Sequence, residues 1–206
     1  MSGAGESDPE RLAETRHKIA NIFQLLSTLT RMRLQRADDA DSRRHLSWML
    51  DMVSAMGALQ HRLHSPGAED FANYLDDMAV HWRRRCMGRP IAIELSLQPL
   101  HVPENHASAL ALIVNELVSN AITHGFPGDR AGVVGIELKR LGRHAVLSVS
   151  DNGQGYDPQN VDADRLGLWL VNGLCAQVRG QLAITTKDGV RATLEFPLAA
   201  RPSGET

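Results

Sequence analysis

The spacing of apolar residues changes period once along this chain, and that change limits the folds open to it. Leu12, Thr15, Ile19, Ile22, Leu26 and Leu29 fall three and four residues apart, which is the stripe of a helix that packs against other helices. The stripe fades at Arg33. After the polar, acidic stretch 37–41 a second stripe runs through Met49, Val53, Met56, Gln60 and Leu63, widened by Leu46, Trp48 and Leu59. Residues 10–66 are therefore expected to form an antiparallel helical hairpin. Each helix offers one apolar stripe, and a lone pair can cover only part of both. The pattern thus predicts a homodimer in which two hairpins complete a four-helix bundle. Residues 1–9, rich in Gly, Ser, Glu and Pro, read as a tail, as do residues 201–206.

His64-Ser65-Pro66-Gly67 breaks the helical pattern. Beyond it the two periods alternate. A helix over 68–86 with Phe71, Leu75, Met78 and Trp82 on one face precedes Gly88-Arg89-Pro90 and a strand over 91–97. A helix over 103–124, strands over 133–139 and 145–150, a helix over 166–178 and strands over 181–186 and 192–198 follow. This order predicts an α+β sandwich over residues 67–200, with helices on one face of a mixed sheet. Met49, Met52, Met56, Met78 and Trp169 read as core, and Arg83-Arg84-Arg85 with Arg89 as a solvated helix end.

Composition narrows the function. Twenty-two Lys and Arg against 24 Asp and Glu leave a net charge of −2, so no bulk attraction draws the chain to nucleic acid or to acidic membranes. The longest apolar stretch, Ala107 to Val118, is interrupted by Asn115 and Glu116 and is shorter than the roughly 20 residues a membrane helix needs. The N-terminus is acidic and small, unlike a secretion signal. Cys86 and Cys175 are too few for a disulfide framework. His61 and His64 have metal-ligand spacing without an evident third ligand. The expectation is a cytoplasmic protein with no membrane insertion and no nucleic-acid partner.

Several polar residues stand where chemistry is possible. With Leu12 at position a, His17 falls at f, opposite the packing stripe, and Asn21 lies one turn further on. An exposed imidazole near its ordinary pKa is a competent nucleophile. Glu116 and Asn120 share a helix face, and a carboxylate with a carboxamide at that spacing can hold water or a hydrated Mg²⁺. Asp151-Asn152-Gly153-Gln154-Gly155 follows a strand directly. A carboxylate there can accept from an exocyclic amine, and the glycines let the backbone approach a flat ring. Leu166-Gly167-Leu168 opens a helix whose N-terminal amides suit a phosphate.

Over residues 17–197 these motifs, taken together, resemble the bacterial sensor histidine kinases, in particular the HRVKN type related to the HWE kinases. The phosphoacceptor segment stands here as His17-Lys18-Ile19-Ala20-Asn21. A Bergerat, or GHKL, ATPase domain would carry its N box at 115–127, its first glycine box at 151–155, a partial second box at 166–168 and a remnant of the last at Gly189. The resemblance implies an ATP-dependent protein histidine kinase that autophosphorylates His17 and passes the phosphoryl group to a response-regulator receiver domain. It implies nucleotide contacts for Asn115, Asn120, His124, Asp151, Gly153, Gly155, Gly167 and Leu168. It also gives Asn120 the Mg²⁺, Glu116 the part of general base, and Asn21 the positioning of a water that dephosphorylates the regulator. The chain departs from the family pattern at Thr123, Arg165 and Val190, where a Lys, a Gly and a Thr are usual, and its lid is short. A histidine phosphotransferase with a degenerate domain that does not bind ATP is the alternative, and a GHKL kinase or ATPase acting on Ser or water a third. With only a tail before the hairpin, input is expected from a separate sensor protein or from a longer chain.

Overall fold

The computed structural model describes residues 8–62, 70–155 and 165–198. The chain divides into two compact units, Met1–Ser65 and Pro66–Thr206. The first holds two helices, α1 (Asp8–Gln35) and α2 (Ala40–Arg62). They pack through a face offset from the stripes expected of them. On α2 the buried residues are Met52, Ala55 and Leu59; Leu59 belongs to the widened face expected, and Met52 and Ala55 each lie one place before a stripe residue. On α1, among the described side chains, Ile19, Ala20, Phe23, Ser27, Thr30 and Leu34 are withdrawn from solvent, Ile19 being the one residue of the expected stripe in that set, and Phe23 lies against Gly57. Ile22, Leu25, Leu26, Leu29, Met32 and Met49 stay exposed, Leu25 at 59%. The inner face mixes large apolar residues (Phe23, Leu34, Met52, Leu59) with small or polar ones (Ser27, Thr30, Ala55), and several large apolar residues of α1 are left outside the pair. Met49 is therefore not core, whereas Met52 and Met78 are.

The second unit is an α+β sandwich. Its elements are α3 (Phe71–Arg85), β1 (Ile91–Leu97), α4 (Glu104–His124), β2 (Gly132–Leu141), β3 (His144–Asp151), α5 (Arg165–Gln177), β4 (Gln181–Thr185) and β5 (Val190–Pro197). The strands form one sheet in the order β1-β2-β3-β5-β4. The β1–β2 pair is parallel and the other pairs are antiparallel. α4 supplies the crossover a parallel pair requires. The side-chain alternation of each strand sends one set of apolar residues to a single side, including Ile93, Val134, Ile136, Leu147, Val149, Ala192 and Leu194, all buried. The expected order of helices and strands is the order observed.

Local chemistry sets the ends of these elements. Asp70 caps α3, its carboxylate accepting from the amides of Ala72 at 2.9 Å and Leu100 at 2.8 Å, which ties the helix start to the segment after β1. Arg89 is not merely a solvated cation. Its guanidinium donates to the carbonyls of Ile122 at 2.8 Å and Phe126 at 2.6 Å, groups that the end of α4 leaves without helical partners. Phe126 is fully buried, and its ring occupies the space a Cβ on Gly132 would need. Trp169, expected in the core, is 71% exposed, because the buried side of α5 is set by Gly167, Val171 and Cys175.

Among the described residues no helix is long and apolar enough to cross a membrane. Gly132→Ala should destabilise the second unit by about 1–3 kcal/mol, the usual cost of overpacking a tight core, seen as a lower urea midpoint at unchanged slope.

Candidate functional site

Ala145, Leu147 and Val149 alternate into the core along β3 and are buried, and the same alternation brings Asp151 to the helix side of the sheet at the strand's end. Its Oδ1 accepts from the amides of Gly153 at 2.8 Å and Val190 at 3.4 Å. Burial pushes the Asp151 carboxyl above the usual aspartate value, more than the Gly153 and Val190 amides and the nearby Arg130 charge pull it down. The side chain at position 190 matters little to this arrangement, since Val190 contributes its backbone N–H.

The glycines around Asp151 are there for close approach. A Cβ on Gly153 would run into the carbonyl of Gly125, and one on Gly189 into the carbonyl of Asp151. Gly189 also sits at φ +110° and Gly155 at +69°, in the region that favours glycine. Gln154 joins the loop to the end of α4, its amide donating to Gly125 O and its side chain to His124 O, both at 2.9 Å. His124 is exposed and contributes its carbonyl.

One face of α4 carries the second group of polar residues. Glu116 is 1% exposed, and Asn120 Nδ2 donates to its Oε1 at 3.0 Å. Gly167, in the first turn of α5, lies against that carboxylate closely enough that a Cβ there would meet it. Leu168 beside it is half-buried. The start of α5 thus covers Glu116, and the last turns of α4 join this group to the glycine loop. Asn115 is placed differently from the expectation. Its Oδ1 accepts from Trp82 Nε1 at 3.2 Å, both residues are buried, and its amide nitrogen is without a partner among the described residues. The carboxamide is turned to α3, where it secures the packing of α3 on α4.

The remaining expected residues lie elsewhere. His17 belongs to α1, and its side chain is outside the described residues. Asn21 on the same helix is exposed. The lid at 157–164, and the side chains of Arg165 and Leu166, are also outside the described residues. Gly125, Gln154 and Arg130 were not singled out from sequence. Gly125 stood in plain view beside His124, whereas Arg130 acts through carbonyls that no residue pattern advertises. A groove of about 370 Å³ runs past Glu94, Gly135, Ser150 and Arg191, which share one register row across four strands. It reaches Asp151 from the side of the sheet opposite the helices, whereas Glu116, Asn120 and Gly167 converge on the helix side.

Residues 105–200 match the family model of the histidine kinase-, DNA gyrase B- and HSP90-like ATPases. The match lies wholly within the second unit. Sensor histidine kinase PdtaS of Mycobacterium tuberculosis is 29% identical over 202 residues, covering 92% of this chain and 40% of its own length. The chain therefore spans less than half of this relative. Among solved structures, the blue-light-activated histidine kinase of Erythrobacter litoralis superposes with a TM-score of 0.72 at 20% identity, over 98% of this chain and 63% of that one. Full-length ShkA, solved in complex with AMPPNP, gives 0.55 at 22% identity over 94% of this chain and 47% of that one. At these identities the structures establish the fold, which is that of histidine kinases.

An aspartate whose pKa is raised in the folded state costs stability when ionised, and the cost disappears as the pH falls through the raised value. Asp151→Asn keeps an oxygen for both amides and removes the charge. It should be at least as stable as the parent at pH 7, with the parent gaining on it during acidification in urea titrations. A variant less stable at pH 7 by a margin that narrows in acid would mean that the hydrogen bonds outweigh the burial.

Proposed function

We propose that the chain is the kinase core of an ATP-dependent protein histidine kinase in a two-component system, of the HRVKN-type subclass and working in the cytoplasm. The observation that carries this reading is the Asp151 carboxylate, partly buried at a strand end and aimed by two backbone amides, within a domain of the ATPase family. A carboxylate so held accepts a hydrogen bond from the exocyclic amine of adenine, and Gly153 and Gly155 leave room for the ring. The AMPPNP complex of ShkA supports a nucleotide in this fold.

The residues of α4 suit a metal-bound phosphate. Asn120 turns its nitrogen to Glu116, which leaves its oxygen for a hard cation, and Mg²⁺ takes oxygen ligands. Mg²⁺ would supply charge neutralisation at the phosphates. Glu116, one turn away and screened from water by Gly167, is placed to accept a proton or polarise an imidazole. In the reaction a neutral nitrogen of His17 forms the bond to the γ-phosphorus as the bond to the ADP oxygen breaks. The phosphoryl group then passes to an aspartate of a response-regulator receiver docked near His17 and Asn21, where Asn21 positions the water that later removes it.

The hairpin supports a homodimer. Ile22, Leu25, Leu26, Leu29 and Met32 present apolar side chains on α1 that α2 does not cover, and a second hairpin would bury them in a four-helix bundle. Leu26→Glu with Leu29→Glu should convert a dimer to a monomer in light scattering after gel filtration. A parent that is already monomeric at high micromolar concentration would rule the bundle out.

With Mg²⁺ and γ-labelled ATP, the protein should acquire acid-labile, alkali-stable label that His17→Ala abolishes. Label retained in His17→Ala would place the acceptor elsewhere. Asp151→Asn should weaken ATP binding by at least about tenfold, as expected where a buried polar contact to substrate is lost.

A further inference from the structure

Arg130 follows the turn at Pro127-Gly128-Asp129 and precedes β2. Its Nη2 donates to two successive carbonyls of the glycine loop, Asn152 O at 3.1 Å and Gly153 O at 3.3 Å. Those carbonyls belong to the two peptide planes on either side of Gly153. The opposite edge of each plane is also held. The first plane presents the Gly153 N–H to Asp151 Oδ1 at 2.8 Å, and the second presents the Gln154 N–H to Gly125 O at 2.9 Å.

Gly153 has no Cβ to restrict it, and none would fit beside the Gly125 carbonyl, so its own backbone preferences do not fix these planes. The clamp from both edges does. A charged donor on a carbonyl also polarises its peptide unit and strengthens the N–H on the other side. The donor that Asp151 receives from Gly153 is therefore tied to Arg130 through a single peptide plane.

We infer that Arg130 is a positioning residue for base recognition, holding the two peptide planes on either side of Gly153, of which the first presents the N–H that orients the Asp151 carboxylate toward an exocyclic amine. This rests on the reading of Asp151 as the base acceptor. It assigns to position 130 a part in selecting adenine that no contact of Arg130 with the nucleotide is needed to explain.

The experiment is equilibrium binding of ATP and of ITP, which carries an exocyclic carbonyl oxygen in place of the amine, to the parent, Arg130→Ala and Arg130→Lys, with thermal melts alongside. Arg130→Ala should lose about tenfold in ATP affinity, in line with the loss of a charge-assisted hydrogen bond pair, while ITP binding changes less than about twofold. Arg130→Lys, which reaches one carbonyl at a time, should fall between the parent and the Ala variant. In nitrogen–proton spectra the Gly153 amide should move in the Ala variant while core amides do not. Unchanged ATP affinity in Arg130→Ala overturns the inference, as does an equal loss for both nucleotides, which would mark general loosening. A parent that binds ATP no better than ITP would instead overturn the reading of Asp151 itself, and the inference with it.

Discussion

The Asp151 carboxylate is the point on which the second unit's working end depends. It stands where the central strand β3 runs out and accepts from the start of the glycine loop and from the first residue of β5. Its backbone lies against Gly189 in the β4–β5 turn, and its side chain against Gly125 after α4. Three segments distant in sequence, at 125, 151–153 and 189–190, thus meet at one partly buried anion. Its ionisation opposes burial, and under the proposed function that cost is offset by what an anionic acceptor of fixed direction offers, discrimination of an amine from a carbonyl.

α4 is the second element that binds structure to chemistry. It is buried along most of its length, by the sheet and by α3 and α5, yet its second half carries Asn115, Glu116 and Asn120 among its polar residues. Each is resolved differently. Asn115 is spent on the indole of Trp82, Glu116 is bonded to Asn120 and roofed by Gly167, and Asn120 keeps an oxygen in reserve. A buried carboxylate next to a helix start that only a glycine permits is a local violation of good packing, and such violations gather at functional sites. The two arginines serve the same end from outside: Arg89 closes the carbonyls at the end of α4, and Arg130 those of the loop that docks there.

The hairpin shows how far a periodic pattern can be trusted. Apolar residues at three and four spacing announced two helices, and two helices formed. The stripe nonetheless does not name the contact within the pair, since Phe23 and Thr30 on α1 and Met52, Ala55 and Leu59 on α2 turn inward while Leu25 and Leu29 stay out. Periodicity counts apolar residues on a helix face but does not say which neighbour they meet. Trp169 failed for a related reason: a large apolar residue is counted as core from composition, whereas the turn of α5 about Gly167 decided that it faces water.

What the sequence determined by itself was the division into a helical and a mixed part and the order of elements, and it singled out Asp151, Glu116 and Asn120, with Gly153, as residues whose spacing is open to chemistry. These follow from local rules, because period, breakers and turn residues act over a few positions. Tertiary structure alone decided that Asn115 serves Trp82, that Val190 contributes an amide, that Gly167 roofs Glu116 and that Arg130 grips the peptide planes on both sides of Gly153. Those contacts join residues separated by tens of positions and are made largely through backbone groups. Every residue type but proline offers the same backbone N–H and C=O, so nothing in the order of side chains could have announced them.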